Sequence, residues 1–437
     1  SSRPGGLPTV GTPHPAPSVV AAASLPCARS TASCITRLRR SGQPGSLVWS
    51  GGAAWLWACD RVAPQGNMDG KEAKLLVESC LPRFTNAGLP PIEPSSIAKV
   101  EAKAIARMWG NFGNIFELNI TTVSGERTAM IAKRVQLPPR CSSIGDQRKK
   151  DSYVVEAAFY SQGHAERLLA AGCIVPSPLH VESSRESGLT ICMTRLEATG
   201  SRRLSGTTEA FVTWLARLHA TYWGGRADEA CASSHGGGLQ QQGCYWHLDT
   251  RPEEHRQMLQ DSGWLKRLAL AARAIDLRLK ADPFQSVCHG DAKGANIMYT
   301  AGDGGEPVPL VYDFQYCGKA AATKDLAYFF NVEVCPSPQE EARLLKLYHD
   351  ELTRLLDAQG DKAPSFEALA SSFELALCDW RRFSEVGLGG WGDGSANRRV
   401  QKVLDRLDRG KALASEDAYV EAMRREFPVE DGSAPAA

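Results

Sequence analysis

The sequence predicts an α+β protein in which a small β-rich part with one main helix precedes a larger α-rich part. Two patterns lead to this prediction. Alternating and β-branched residues dominate residues 95–134, and a further short strand is predicted at 189–193. After residue 205, apolar residues recur at helical spacing over long stretches. The β-rich run contains a predicted hairpin turn at 124–127, so we expect its sheet to be antiparallel.

The predicted elements follow one another without an internal repeat. A first helix is predicted at 71–80, and the strands 116–123 and 129–134 flank the hairpin turn. A helix at 152–171 is expected to break near Gly163. The helices predicted in the α-rich part are 208–222, 253–280, 339–358, 366–385 and 398–409. The helix from residue 339 has a start signal in the capping residue Ser337, followed by Pro338 and Glu340.

Length and charge limit the possible function classes. A chain of 437 residues fits two domains, or one two-lobed enzyme with a tail. The formal net charge of +1 provides no global field that would attract nucleic acid or an anionic membrane. No apolar run approaches the roughly 20 residues that cross a bilayer. We therefore expect no nucleic-acid partner and no membrane span, while the sequence does not indicate the oligomeric state.

The 13 cysteines are odd in number and scattered, with no C-x-x-C pair and no cluster at zinc-ligand spacing. This distribution is typical of buried thiols in a reducing compartment, and it indicates neither a disulfide framework nor a structural metal.

Residues 1–67 differ in composition from the rest of the chain. They are rich in Ser, Ala, Pro and Gly and carry six arginines against one acid, Asp60. This pattern resembles an organellar transit peptide, but a translated upstream segment with Met68 as the true start explains it equally well. We expect this leader to be disordered, and we expect a cytoplasmic enzyme, or a plastid or mitochondrial one if the leader is a transit segment.

The remaining chain is divided into an N-terminal part at 68–194, a C-terminal part at 195–430 and a disordered tail at 431–437, with the connection between the two parts at 194–205.

The residues that carry chemistry begin at His289. Asp291 follows two positions later and Asn296 five after that, which is the H-x-D-x-x-x-x-N spacing of a phosphoryl-transfer catalytic loop. The loop follows the apolar pair Val287 and Cys288, as a loop leaving a buried strand would. Asp291 is predicted to orient the acceptor hydroxyl and accept its proton, and Asn296 to offer a neutral oxygen to Mg²⁺.

A β-hairpin is predicted downstream of this loop, with strands at 297–299 and 308–312. It would return Asp313 to the neighbourhood of Asn296. Two oxygen ligands for one hard cation would then lie together, so the hairpin predicts a Mg²⁺ site.

A nucleotide site is predicted from the N-terminal part. Lys133 ends a strand and Glu156 lies early in the next helix, which is the arrangement of a lysine that positions the α and β phosphates of ATP and its glutamate partner. Glu156 as an ordinary exposed helix acid is the alternative. Gly110 and Gly113 belong to the segment where a turn over the phosphates is expected, although their spacing is loose.

These residues together resemble the aminoglycoside phosphotransferase and choline kinase superfamily, and in particular its choline-kinase-like and ecdysteroid-kinase-like branch. The residues that carry the resemblance are His289, Asp291, Asn296, 313–315 (DFQ), 325–328 (DLAY) and 215–220 (LARLHA). The similarity covers roughly residues 80–420. It implies a bilobal protein-kinase-like fold, ATP as donor and a small-molecule hydroxyl as acceptor. It also implies that Asp325 buttresses the catalytic loop, and it places Met193 and Thr194 near the adenine.

Departures from protein kinases narrow the substrate class. Gly290 stands where those enzymes have an arginine that reads a phosphorylated activation loop, and Gln315 replaces the glycine of D-F-G. The short path 317–323 leaves little room for an activation segment, which argues against a protein substrate. Lys293 is assigned a role on the γ-phosphate, with a solvated loop lysine as the alternative. His289 is expected to support the loop by packing and hydrogen bonding.

Several alternatives remain open at this stage. A pseudokinase or nucleotide-binding scaffold is the alternative function, followed by a protein kinase. The aromatic segment 245–251 could form a substrate wall or pack between helices, whereas Trp214 is expected in the core. The glycine-rich stretch 387–394 could be a lid or a connector. Amino alcohols, steroids, aminoglycosides and sugars all fit as acceptors.

Overall fold

The computed structural model of the chain describes residues 68–108, 112–136, 144–184, 188–198, 204–232, 238–387 and 394–429. The predicted leader 1–67 and tail 431–437 lie outside these described residues, as do Gly110 and most of the glycine-rich stretch 387–394.

The N-terminal lobe contains one five-stranded antiparallel sheet with the strand order β1-β2-β3-β5-β4. Its strands are β1 (Ile97–Arg107), β2 (Gly113–Thr122), β3 (Arg127–Val135), β4 (Pro178–Ser184) and β5 (Gly188–Thr194). The predicted antiparallel sheet and its hairpin between β2 and β3 are thus confirmed. The edge strand β4 was not predicted, because it begins at a proline and its alternation of apolar and polar residues covers only Leu179 to Glu182.

The two faces of this sheet pack against different helices. Helix α1 (Gly70–Cys80) shares a core cluster with Met130 and Ala132 of β3. Because successive side chains of a strand point to opposite faces, the neighbouring Lys133 points away from α1. It meets Glu156 of helix α2 (Ile144–Ser161). The pleat of β3 therefore directs this lysine into the interior of the molecule.

Helix α2 ends at Ser161, and the short helix α3 (His164–Ala170) follows it. Gly163, with φ of +80°, lies at the break, as predicted.

The C-terminal lobe is mainly helical, and the α+β class is confirmed. Its helices are α4 (Thr207–Thr221), α5 (Gly225–Cys231), α6 (Pro252–Met258), α7 (Gly263–Lys280), α8 (Thr323–Phe329), α9 (Pro338–Gln359), α10 (Phe366–Gly387), α11 (Ala396–Asp408) and α12 (Glu416–Glu426). A π-helical turn at Phe330–Val334 follows α8. The boundaries predicted between leader, lobes and tail stay a prediction.

One helix prediction in this lobe is wrong. The stretch 253–280 forms two helices, α6 and α7, because the chain is extended at Ser262 (φ −122°, ψ 171°) and cannot continue the α6 geometry. By contrast, the start signal of α9 is confirmed, since the Ser337 hydroxyl accepts a hydrogen bond from the Glu340 amide. Trp214 on α4 is 2% exposed and packs in the main core, as expected.

Two small antiparallel ladders position the loops of the C-terminal lobe. Strand β6 (Gln285–Cys288) pairs with β9 (Gly318–Ala321), and β7 (Ile297–Ala301) pairs with β8 (Pro307–Val311). The predicted strand before the catalytic loop and the predicted hairpin after it are both confirmed. Residues 289–296 connect the two ladders, so both ends of this loop are held by β-structure.

Short 3₁₀ turns lie at Leu81–Arg83, Thr85–Ala87, Pro94–Ser96, Leu248–Thr250 and Gly294–Asn296. Within the described ranges, none of the helices combines the length and apolar character required to span a bilayer. Of the cysteines that fall in those ranges, all but Cys335 are buried, which agrees with their predicted packing role.

Candidate active site

One carboxylate supports the predicted catalytic loop, residues 289–296. As the chain leaves β6, the backbone amides of His289 and Gly290 donate to the two oxygens of Asp325, at 2.7 and 2.9 Å. Asp325 lies in the first turn of α8 and is 1% exposed. Burial alone would raise the pKa of Asp325, but His219, His289 and the Gly290 amide together outweigh it and lower that pKa. The contact expected of Asp325 is present.

His219 was part of the family resemblance, but no role was predicted for it. Its Nε2 lies 3.3 Å from Asp325 Oδ2, and its Nδ1 lies 2.9 Å from the Tyr348 hydroxyl. A fully buried histidine on the apolar face of α4 is a signal that a buried partner is needed. The sequence could not identify that partner, which is 106 residues away.

His289 is fully buried, and both of its ring nitrogens have protein partners. Its Nε2 lies 3.1 Å from the Tyr312 carbonyl oxygen, and its Nδ1 accepts a hydrogen bond from the Asp291 amide at 3.3 Å. The ring also packs on Phe314 with centroids 4.9 Å apart. These contacts tie the loop to the segment after β8, which is the supporting arrangement expected of this histidine.

Asp291 is 4% exposed, and its carboxylate accepts hydrogen bonds at both oxygens. Oδ1 accepts from the Tyr328 hydroxyl at 3.0 Å, and Oδ2 accepts from Asn296 Nδ2 at 3.0 Å. Lys293 Nζ lies 2.9 Å from the same Oδ2. Burial disfavours the charge of Lys293, but the attraction of Asp291, together with those of Tyr245 and Asp313, outweighs it and raises the pKa of the lysine. A freely solvated Lys293 does not fit this geometry.

The two predicted metal ligands are brought to the same loop cluster. The Tyr312 amide donates to the Asn296 carbonyl at 3.1 Å, so Asp313 leaves β8 beside Asn296. The amide nitrogen of Asn296 is committed to Asp291, which leaves the amide oxygen to face a cation. Carboxylate and amide oxygens are the donors that Mg²⁺ prefers, so this pair fits the ion.

Asp313 has φ of +72°, a left-handed conformation that non-glycine residues rarely adopt. Its Oδ1 accepts from Lys133 Nζ at 2.9 Å and from Gln315 Nε2 at 2.6 Å. Burial would raise the pKa of Asp313, but the charge and hydrogen bond of Lys133 and the hydrogen bond of Gln315, together with the Lys293 charge, outweigh it and lower that pKa. Gln315 also reaches helix α2, where its Oε1 accepts from the Ser152 hydroxyl at 3.3 Å. No such role for Gln315 was predicted.

Lys133 joins the two lobes. Its Nζ lies 2.5 Å from Glu156 Oε1 and 2.9 Å from Asp313 Oδ1, and the lysine is 5% exposed. Burial would lower the pKa of Lys133, but the two carboxylates outweigh it and raise that pKa. Burial raises the pKa of Glu156 to about 7, while Lys133 opposes the shift. The ion pair is therefore formed, and the exposed-acid alternative for Glu156 is wrong.

The other predicted nucleotide contacts are less direct. Met193 is buried in the core, and the Thr194 hydroxyl accepts a hydrogen bond from the Ser177 amide, so both side chains contact protein. Gly113 is the first residue of β2, and a Cβ there would lie 1.8 Å from the Arg134 carbonyl oxygen. Close strand approach thus explains this glycine. Adenine and phosphate contacts by these residues stay predictions, and Gly110 lies outside the described residues.

Comparison with known proteins identifies a family to which the chain is similar. The sequence model of a family described as "Phosphotransferase enzyme family" matches residues 148–363, from the start of the Glu156 helix past Asp325. The match covers just under half of the chain, and it shows that the chain is similar to this family. This similarity confirms the predicted superfamily resemblance and the predicted phosphotransferase class. No curated protein sequence matches the chain.

Several solved structures are similar to this phosphotransferase. An ethanolamine kinase from Plasmodium vivax has 13% sequence identity and a TM-score of 0.41, covering 84% of this chain and 95% of that one. A microcompartment-associated aminopropanol kinase has 12% identity and a TM-score of 0.40, covering 80% and 97%. The aminoglycoside phosphotransferase APH(3'')-Id from Streptomyces rimosus, solved with ADP and streptomycin, has 16% identity and a TM-score of 0.35, covering 70% and 99%.

Aromatic side chains surround the Asp291 side of the phosphotransferase site. Trp246 is fully buried, and the Lys324 ammonium lies 4.2 Å from its ring centroid. The packing alternative therefore holds for Trp246. Tyr245 is half-buried and lies 4.6 Å, centroid to centroid, from Tyr316. A role for Tyr245 in a substrate wall stays a prediction.

The path from Asp313 to Asp325 in the phosphotransferase is as short as predicted. Strand β9 occupies 318–321, and α8 begins at Thr323. Every residue of this path is described, and none forms an extended activation segment. Residues 388–393 of the glycine-rich stretch, including Trp391, lie outside the described residues.

Proposed function

We propose that this phosphotransferase transfers the γ-phosphoryl group of ATP, in the presence of Mg²⁺, to a hydroxyl group of a small molecule. The observation that carries the proposal is the double contact of Lys133. This buried lysine lies against both Glu156 and Asp313, which joins the predicted phosphate-binding lysine of one lobe to the predicted metal ligand of the other. Phosphoryl transfer requires such positioning and charge neutralisation more than covalent chemistry.

Asp291 has the central role in this mechanism. Its carboxylate orients the acceptor hydroxyl and accepts the proton as the new oxygen–phosphorus bond forms. The bond between the γ-phosphorus and the bridging oxygen breaks, and ADP leaves. Lys293, paired with Asp291 in the free protein, moves onto the γ-phosphate and balances the transferred charge.

Asp313 and the amide oxygen of Asn296 would hold Mg²⁺, which would neutralise charge on the phosphate oxygens. Lys133 contacts the α and β phosphates. Gln315 keeps the Asp313 carboxylate in place through its hydrogen bond of 2.6 Å. The acceptor is a compound of the amino alcohol, aminoglycoside, sugar or steroid class.

A transfer assay tests the proposal. Radiolabelled [γ-³²P]ATP and Mg²⁺ are incubated with the protein and either a metabolite extract or a panel containing ethanolamine, choline, aminopropanol, streptomycin and kanamycin. We expect at least one labelled phosphomonoester. Stabilisation by ATP and Mg²⁺ in a thermal-shift assay, without transfer to any acceptor, would favour a nucleotide-binding scaffold and contradict the proposal.

Asp291→Asn is the decisive variant, because it keeps the shape of the side chain and removes the base. We expect turnover to fall by about 10²- to 10⁴-fold while ATP affinity is retained. Asp303→Asn is the matched control, since Asp303 is an exposed carboxylate in the turn between β7 and β8. Turnover of Asp291→Asn equal to that of the control would refute the mechanism.

Asp313→Asn tests the metal site separately. Asparagine tolerates a left-handed backbone, so the φ of +72° does not prevent folding. Loss of the charge is expected to raise the Mg²⁺ concentration required for half-maximal turnover, and also to lower the melting temperature because the buried Lys133 loses one of its two carboxylate partners. An unchanged Mg²⁺ dependence would show that Asp313 does not bind the ion.

A further inference from the structure

Helix α8 presents two side chains to the catalytic loop. Asp325 accepts hydrogen bonds from the backbone amides of residues 289 and 290, and Tyr328 lies three residues further along the helix. Side chains three positions apart lie on the same side of a helix. Tyr328 therefore reaches the same loop, where its hydroxyl donates to Asp291 Oδ1 at 3.0 Å. One helix thus contacts both the backbone of the loop and its carboxylate.

The bond from Tyr328 determines the orientation of that carboxylate. Asn296 and Lys293 both contact Oδ2 of Asp291, at 3.0 and 2.9 Å, whereas Tyr328 contacts Oδ1. Donors on one oxygen would still allow the group to rotate about them. A donor on the other oxygen blocks the rotation, so the lone pairs of Asp291 keep one direction.

The Tyr328 hydroxyl is itself held in one position. The side chain is fully buried, and its ring packs 4.5 Å from Trp380 and 6.5 Å from Trp246, centroid to centroid. These rings exclude water from the hydrogen bond, and a buried hydrogen bond is electrostatically stronger than an exposed one. The close packing leaves the tyrosine little freedom to move away from Asp291.

We infer that Tyr328 is a positioning residue for Asp291, fixing the carboxylate in the direction from which it meets the acceptor hydroxyl. This inference rests on the proposed function. It extends the role of α8 from support of the backbone to alignment of the base.

Tyr328→Phe tests the inference, because it removes only the hydroxyl. Turnover of [γ-³²P]ATP is measured with the panel compound or extract fraction that the wild-type protein phosphorylates. We expect kcat to fall by about 10- to 100-fold, since small misplacements of reacting groups have effects of this size, while KM for ATP stays within about twofold. Rates are expressed per titrated ATP site, so that an unfolded fraction cannot mimic the effect.

Tyr419→Phe is the matched control. Tyr419 is also fully buried, and its hydroxyl donates to the carboxylate of Asp408 at 2.5 Å, between α11 and α12. Loss of the Tyr419 hydroxyl removes a buried tyrosine–carboxylate hydrogen bond, as in Tyr328→Phe, but from a site without proposed catalytic residues. We expect a lower melting temperature and an unchanged kcat. Wild-type kcat in Tyr328→Phe, or an equal loss of kcat in both variants, would overturn the inference.

A double-mutant cycle separates alignment of Asp291 from a general structural effect. If Tyr328 acts through the carboxylate, its replacement in the Asp291→Asn background should change the residual rate by less than about twofold. If the two substitutions instead lower the rate independently, so that their effects multiply in the double variant, the inference is overturned. An active Asp291→Asn protein contradicts the proposed function. An inactive Asp291→Asn protein with an unaffected Tyr328→Phe protein contradicts only the role of Tyr328.

Discussion

Replacing Gly290 with alanine is expected to destabilise the protein and to displace the catalytic loop. Gly290 has φ of +81°, and a Cβ added there would lie 2.1 Å from the carbonyl oxygen of Tyr316 and 2.8 Å from its carbonyl carbon. These are backbone atoms in the segment that follows the DFQ motif, so no side chain can rotate to relieve the clash. The backbone at this position therefore excludes an arginine on steric grounds, in addition to the functional argument that the described path from Asp313 to Asp325 has no activation loop for it to bind.

The expected magnitude has two parts. A left-handed conformation costs an L-residue about 1–2 kcal/mol. Forcing an additional carbon into a packed site costs about 1–3 kcal/mol more. The free energy of unfolding of Gly290→Ala should therefore fall by about 2–5 kcal/mol. Gly360 isolates the first part, since its φ is +80° and a Cβ there would meet no heavy atom within 4 Å.

Urea denaturation of both variants measures the difference directly. Gly360→Ala should lose only about 1–2 kcal/mol, because it carries the backbone penalty without the clash. Equal losses in the two variants would refute the steric explanation. Enzyme activity is a second measurement of the same displacement. The Gly290 amide donates to Asp325 Oδ1 at 2.9 Å, and a displaced loop would lose this hydrogen bond. We expect kcat to fall in Gly290→Ala and to be retained in Gly360→Ala.

Two further predictions concern buried ionisable groups. Asp379→Asn should lower the free energy of unfolding, measured by urea denaturation, by about 3–5 kcal/mol, because Lys324 and Arg382, both nearly fully buried, bind that carboxylate. A decrease below about 1 kcal/mol would contradict this reasoning. Burial lowers the pKa of His164 to about 4, so its folded form favours the neutral ring. Its stabilising contribution is complete above the unfolded pKa of about 6.5 and is lost as pH falls towards 4, by about 3 kcal/mol. His164→Asn should unfold with a weaker acid dependence between pH 7 and pH 4, and an unchanged dependence would exclude His164 as the source.

The residues of the catalytic loop could be predicted because their relation is local. His289, Asp291 and Asn296 lie within eight consecutive residues, and the hairpin that follows is encoded by its own turn and strand patterns. The start of α9 was predicted for the same reason, since Ser337 and Glu340 are three residues apart. Such features depend on backbone geometry over a few residues, which residue types constrain directly.

Contacts that depend on packing between distant elements could not be predicted in the same way. His219 and Asp325 are 106 residues apart, and Gln315 and Ser152 are 163 apart. Periodicity shows that a helix has a buried face, but it does not specify which side chain of another element will meet that face. The break between α6 and α7 was missed because the apolar pattern runs through it, whereas the backbone turns at Ser262.

The sequence alone determined the α+β class and the spacing of His289, Asp291 and Asn296, and it predicted the phosphotransferase chemistry that we propose for Asp291, Asn296 and Asp313. Only the tertiary structure decided how these groups are held. Burial places Lys133 against carboxylates of both lobes, and helix packing brings the Tyr328 hydroxyl to Asp291. The physical reason is that a motif specifies which donors and charges are present, while the direction of each carboxylate depends on buried partners that arrive from distant parts of the chain.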